Sequence, residues 1–230
     1  NIVAVATGNY DWAQFVSLIE KACGAWPTGQ TSREKRIETP GQGGLHVLTK
    51  PADKVAQQYL SLISAAPSAT SEHSYAAALV SAVVGDYSGS RLFWALVDPG
   101  LVDEANMGFD ECDSAGAYYT SCNCLPENAA ECYGIVTEIL ADVQKNGITL
   151  EEFNQAKTKI LSREIRAGER TARRMSALAK DWVYRGEYRS VDDELAAWDA
   201  LTLADTRAVL DRYPLTNFTA TAYGPLEKLG

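Results

Sequence analysis

One stretch restricts the possible folds more than any other: Val83-Val84-Gly85-Asp86-Tyr87-Ser88-Gly89-Ser90-Arg91-Leu92-Phe93-Trp94-Ala95-Leu96-Val97-Asp98-Pro99-Gly100. An apolar helical run stops at a glycine, a short polar loop with a second glycine follows, and a new apolar run opens on Ser90-Arg91-Leu92-Phe93. Two helices therefore meet at this loop. Gly85 is expected to cap the first at positive φ, where the missing Cβ removes the steric penalty, and Ser88 or Ser90 to cap the second. Sheet should wrap this joint on both sides.

Upstream, residues 2–7 are β-rich and stop at Gly8-Asn9, which predicts a strand and a turn. Asp11 then caps a helix that keeps Trp12, Phe15, Val16, Leu18, Ile19 and Ala22 at helical spacing and ends at Cys23-Gly24. Residues 28–44 are a polar, glycine-rich connection. Strands are expected over 45–49 and 55–64, helices over 71–84 and 90–97, and strands over 109–112 and 117–124. Pro126 suits a first helical position, and that helix should run to Lys145 before Asn146-Gly147. Thr149 and Glu152 form a capping box that launches the longest helical pattern, to about Tyr184, with a possible break at Gly168. Helices over 191–200 and 203–212 follow, the second begun by Thr202 and Asp205. The strand 217–224 repeats the frame of residues 1–8, with Asn, two Ala and Gly at matching places. This points to a duplicated domain, with the tail of one repeat and nearly all of the next.

At 230 residues the chain can build its core without staples. A net charge of −9 argues against a nucleic-acid partner, because phosphate binding needs a cationic footprint. No apolar run is long enough to span a bilayer, nothing resembles a signal peptide, and localisation cannot be read. The chain begins in mid-pattern at Asn1 and reads as a piece of a longer one. Five cysteines cannot all pair, and Cys122-Asn123-Cys124 is too tight for a zinc knuckle, so they read as buried or half-buried thiols.

Catalytic motifs are missing. Only two histidines occur, His46 and His73, and neither has a Glu or a second His at the spacing a zinc peptidase needs. Both read as structural or surface imidazoles. Asp98, Asp103, Glu104, Asp110, Glu111 and Asp113 lack calcium-loop spacing and read as a solvated acidic edge. The glycine loop fits no phosphate-binding motif, which leaves backbone packing as its first role and a loop facing a cavity as the second. Lys159, Arg163, Arg166, Arg170 and Arg173 or Arg174 lie on one helical stripe. Two readings stay open there: a solvated face paired with Glu164 and Glu169, or a surface that meets acidic groups of another domain.

The order of motifs over the chain resembles the C-terminal, non-zinc half of the pitrilysin, insulysin and mitochondrial-processing-peptidase superfamily of zinc metallopeptidases. The residues that carry the likeness are Val5-Ala6-Thr7-Gly8-Asn9-Tyr10-Asp11 with Ile19-Glu20-Lys21, Gly89-Ser90-Arg91-Leu92-Phe93 with Gly100-Leu101, and Leu125-Pro126-Glu127-Asn128-Ala129. Gly147-Ile148-Thr149-Leu150-Glu151-Glu152-Phe153 with Ala156-Lys157, Thr202 with Asp205, and Tyr223-Gly224-Pro225 complete it.

The resemblance implies an α+β fold, a mostly antiparallel sheet with helices on one face, as one half of a duplicated peptidase of the processing-peptidase type. Residues 1–27 would be the closing strand and helix of the preceding repeat, 28–44 the linker, and 45–230 the second repeat. Zinc would belong to the first half, with no cofactor here. The partner would be that zinc-bearing half, in the same chain or on another subunit, and the substrate an unfolded protein or peptide. Gly85, Gly89, Ser90 and Arg91 would face the substrate chamber. Active members lend an Arg and a Tyr from this segment; here those positions hold Val97 and Asp103, or Glu104 without a gap. The chain is therefore expected to enclose substrate without catalysing, neither binding zinc nor cleaving peptides alone. The alternative is a domain of a non-catalytic partner or scaffold subunit.

Overall fold

The computed structural model describes residues 2–29 and 43–229, so most of the expected 28–44 linker lies outside the described residues. Five strands make one sheet: β1 (Gly44–Thr49), β2 (Gln58–Ala66), β3 (Val102–Glu111), β4 (Gly116–Cys124) and β5 (Phe218–Gly224). Their spatial order is β1-β5-β2-β4-β3. β1 runs parallel to β5, and every other pairing is antiparallel. The helices are α1 (Trp12–Cys23), α2 (Ser74–Gly85), α3 (Ala129–Asn146), α4 (Leu150–Gly168), α5 (Thr171–Arg185), α6 (Val191–Ala200) and α7 (Leu203–Arg212).

Strand alternation puts the core on one side of the sheet. Leu60, Leu62 and Ala66 on β2, Tyr118 and Cys122 on β4, Ala105 and Met107 on β3, and Ala220 and Ala222 on β5 are all buried. They pack with Leu79, Val80 and Val84 of α2, Val136 and Leu140 of α3 and Val209 and Leu210 of α7 in a single cluster. Side chains of the alternate register point the other way, and there Tyr59, Ile63 and Tyr119 are exposed. The helical layer thus covers one face, as expected of this α+β class.

Local signals place the helix ends. Asp11 accepts from the Gln14 amide to start α1. Thr149 and Glu152 cap α4 reciprocally, at 3.2 and 2.7 Å. Thr202 and Asp205 do the same for α7. Gly147 ends α3 with φ +76°, a conformation that favours glycine. The long helical pattern does break at Gly168: α4 ends there and α5 starts at Thr171.

Three expectations fail. Residues 2–7 form no strand, because a strand needs a neighbour for its backbone groups and none of the described strands flanks them. Gly85 is not a positive-φ cap. It is the last residue of α2, and a Cβ there would lie 2.1 Å from the Met107 amide nitrogen, so glycine serves close approach of helix to strand. Third, β3 begins at Val102, well before Phe109.

Candidate functional site

The helix-joining loop is a clasp. After α2 the chain turns at Gly89, which takes φ +73°, and Ser90 accepts from the Phe93 amide at 3.2 Å to start a helical segment that widens into a π-turn over Phe93–Val97. Asp86 receives Lys159 at 2.6 Å and Arg163 at 2.9 Å. Burial alone would raise the Asp86 carboxyl, but these two cations and the Tyr87 amide hold it below its ordinary range. Lys159 also donates to the Ser88 carbonyl at 2.7 Å. The basic stripe of α4 is therefore divided. Lys159 and Arg163 bind the loop rather than Glu164 or Glu169, while Arg166, Arg170 and Arg173 stay exposed.

Arg91 locks the other side. Its guanidinium donates to Glu152 at 2.7 and 2.9 Å, to Asp142 at 2.6 Å and to the Gly147 carbonyl at 3.3 Å. It ties the end of α3 and the cap of α4 to the joint. Of the other residues singled out in this stretch, Ser90 and Gly85 are buried, and Gly89 lines a cleft of about 120 Å³ with Asp86, Glu152 and Lys159. The structure thus gathers Gly89, Ser90 and Arg91 at one clasp and sets Gly85 against β3.

The bare face of the sheet is the larger feature. Strand register lays its side chains in rows: Leu48, Tyr223, Tyr59, Asn123 and Glu104 in one, His46, Thr221, Ser61, Ser121 and Asn106 in the next, and Thr219, Ile63, Tyr119 and Gly108 in a third. Polar side chains knit one corner. Ser121 donates to Asn106 at 3.1 Å, Asn123 to Gln57 at 3.1 Å, and Gln57 to Asp103 at 3.5 Å. Asp103 therefore stands at the edge of this face, whereas Val97 ends the π-turn and packs against the core. The one-sided helical layer was expected, but not which residues line the face it leaves. The apolar alternation Ala105, Met107, Phe109 was the available signal for the β3 register behind it.

β3 is the outer strand of the described sheet, so one side of its backbone has no strand partner among the described residues. Beside it runs a groove of about 480 Å³, lined by Glu104 to Gly108, by Gly85, Asp86 and Tyr87 at the end of α2, and by Arg163, Glu164 and Trp198. An unpaired strand edge next to open space can accept an extended chain.

A zinc ion does not fit the described residues. Among the described residues no group of three or more His, Cys, Asp or Glu side chains could hold a metal. The His46 ring faces the Gly43 carbonyl at 3.2 Å, and His73 lies 4.0 Å from Glu72. Of the acidic run, Asp98, Asp103, Glu104 and Asp110 are exposed, while Asp113 is half-buried and the half-buried Glu111 pairs with Lys180.

Cys122, Cys124 and Cys132 are buried, Cys23 is half-buried and Cys112 is exposed, against the expectation for that residue. Burial and then the neighbouring Cys132 push the Cys122 and Cys124 thiols up to about 12, which leaves them protonated and inert. A thiol reagent at about pH 8 should label Cys112 and Cys23 in the native chain and the other three only after unfolding. Native labelling of all five, read by mass spectrometry, would contradict this packing.

Residues 1–160 match the family described as Peptidase M16 inactive domain. An uncharacterized zinc protease of Mycobacterium bovis is 26% identical over 230 residues, which cover 97% of this chain and 52% of the relative. The chain thus spans about half the length of the curated relatives it matches. Among solved structures, the peptidase M16 inactive domain from Pseudomonas fluorescens superposes with a TM-score of 0.83 at 17% identity, over 96% of this chain and 52% of that one. A chain of complex III2 from Candida albicans gives 0.79 at 13% identity, over 97% and 55%. No described helix is long and apolar enough to cross a membrane.

Proposed function

Because this chain belongs to the Peptidase M16 inactive-domain family, we propose that it is the non-catalytic, substrate-enclosing half of a zinc-dependent endopeptidase. The observation that carries this reading is the asymmetry of the sheet: among the described residues, helices cover one face, while the other face and the β3 edge stay open. A bare face with tyrosines and hydrogen-bonding side chains suits the wall of a chamber that holds an extended peptide. The β3 edge suits addition of that peptide as a further strand. Gly89, Ser90 and Arg91 shape the rim, and Gly85 sets the distance between α2 and β3.

Zinc and hydrolysis belong to the other half of the parent protein, in the same chain or on a partner subunit. Residues 1–27 belong with that half, 28–44 link to it, and 45–230 form the enclosing domain. The exposed Trp12, Leu18, Ile19 and Trp26 around α1 support this division, since α1 buries none of its own residues here. A second reading, a partner or scaffold subunit without catalysis, is favoured by Val97 and Asp103 at positions where active members carry Arg and Tyr.

Hydrogen exchange with and without an unfolded peptide tests the reading. Amides of β3 between Glu104 and Asp110 should exchange more slowly with peptide present. A fluorogenic peptide should stay uncut by the pure chain and be cut when the zinc-bearing half is added. Chelator-sensitive cleavage by the pure chain, or unchanged exchange along β3, would refute it.

A further inference from the structure

α5 buries none of its own residues, although it faces α2, α4 and α6 across a cavity of about 190 Å³. Glycines bracket it. Gly168 ends α4, where a Cβ would lie 3.0 Å from Val191, and Gly186 closes α5 at φ +72°. Polar contacts fasten the helix instead of a core: Lys180 to Glu111 of β3, Arg174 to the Arg189 carbonyl, and the Thr171 carbonyl to the Thr7 hydroxyl at 2.8 Å. An element hinged at both ends and without buried contacts opens at low cost. The cavity beneath it is rich in carboxylates, namely Glu111, Glu164, Asp181 and Glu194. Three of them have cations. Lys180 pairs with Glu111, Arg185 with Asp181 at 3.8 Å, and Arg189 with Glu194, to which Tyr75 of α2 also donates at 2.7 Å. Glu164 of α4 is half-buried and has no hydrogen bond or ion pair among the described residues. Arg163 beside it is bound to Asp86, and Arg173, which borders a neighbouring cleft with Arg174, is exposed.

We propose that α5 is a hinged strap that closes on α2, α4 and α6 as pH falls, with Glu164 as the group that sets its position. Closing the strap over an ionised Glu164 takes a charge out of water and holds it near Glu194. A neutral Glu164 removes that cost. Burial and the Glu194 charge accordingly raise the Glu164 carboxyl, and Lys180 opposes them only in part. A carboxyl raised in the closed state opposes closing above its raised value, and the opposition is released as pH falls through that value. Below the ordinary carboxylate range both states hold the proton, and nothing more is gained. Asp181 is raised by burial and Glu194 as well, against the pull of Arg185, and adds a smaller response of the same sign. The strap also carries the N-terminal segment. Thr7 is bonded to Thr171, and a Cβ on Gly8 would lie 3.8 Å from the Thr171 methyl, so acidification seats residues 2–27 more firmly on the domain. Neither substrate nor zinc takes part in this device.

Hydrogen exchange of the 230-residue chain at about pH 7.5 and about pH 5.0, corrected for the chemical exchange rate, tests the strap. The internal reference is β2, the middle strand of the sheet, which carries no carboxylate. Relative to β2, amides of Thr171–Arg185 should gain about threefold in protection on acidification. Glu164→Gln should show the higher protection already at the upper pH and retain only about a 1.5-fold response, the share of Asp181. Glu169→Gln, at an exposed carboxyl just past the end of α4, should respond like the parent. Protection of α5 in the parent that stays level or falls on acidification overturns the strap without recourse to any variant. A Glu164→Gln chain with the full parental response, or a Glu169→Gln chain that loses it, overturns the assignment to Glu164.

Discussion

Gly85→Ala is expected to destabilise the chain by about 3 kcal/mol or more, and to lower the thermal midpoint by roughly 6–12 °C. The added Cβ would stand 2.1 Å from the Met107 nitrogen and 2.8 Å from the Asn106 carbonyl carbon, both of them backbone. Ordinary carbon contacts begin near 3.5 Å, so helix or strand must move by about an ångström. Neither yields easily. β3 is tied along its length to β4, and α2 is buried on Leu79, Val80, Val83 and Val84. Gly108→Ala on the same strand is the control: its Cβ meets nothing within 4 Å, so the change should stay within about 0.5 kcal/mol. Equal midpoints for the two variants would show that α2 does not press on β3.

Arg91→Ala should remove about 3 kcal/mol, because it strips the cation from a half-buried Glu152 and leaves Asp142 and the Gly147 carbonyl without their shared donor. Arg91→Lys should recover only part of this, since one ammonium cannot span three acceptors held by a planar fork. The two variants also differ from the parent in pH response. Burial alone would raise the Glu152 carboxyl, but Arg91 and Thr149 overcome it and hold the group below its ordinary 4.5. The stability it contributes is therefore complete above that value and is lost as pH falls through the depressed native pKa. Arg91→Ala should flatten this part of the acid limb in urea titrations. In the full-length protein, lost stability should precede lost cleavage. An Arg91→Ala chain as stable as the parent but unable to support cleavage would make Arg91 a substrate ligand instead.

Helix ends were legible because their chemistry is local. Asp11, Thr149 with Glu152, and Thr202 with Asp205 act within one turn, so four residues suffice to place them. The closing strand at Phe218–Gly224 was legible for a similar reason, as alternating β-formers between turn residues. What eluded the sequence depends on a partner distant in the chain. Gly85 looks like any helix-ending glycine until Met107 is placed against it. Residues 2–7 have strand composition, yet composition supplies no neighbour. The acidic opening of β3 has poor strand propensity and is held by its register with β4. For Lys159 and Arg163 the choice between a solvated face and a surface meeting distant acidic groups stayed open in the sequence, because Asp86 reaches them only through the fold. The make-up of the bare face was not foreseen for the same reason: its rows combine residues from the five described strands.

β5 occupies the second position of the sheet, between β1 and β2, although it is the last of the five described strands in chain order. A nascent chain that has reached Asn217 can hold β2, β4 and β3 as a three-stranded antiparallel sheet, but β1 then has none of the described strands to pair with and β2 shows an open edge. Sheet closure must wait until residues 218–224 have left the ribosome, which makes it a slow, long-range step. Stalled or prematurely ended chains would present two sticky strands at once, and such chains should be the ones that chaperones retain.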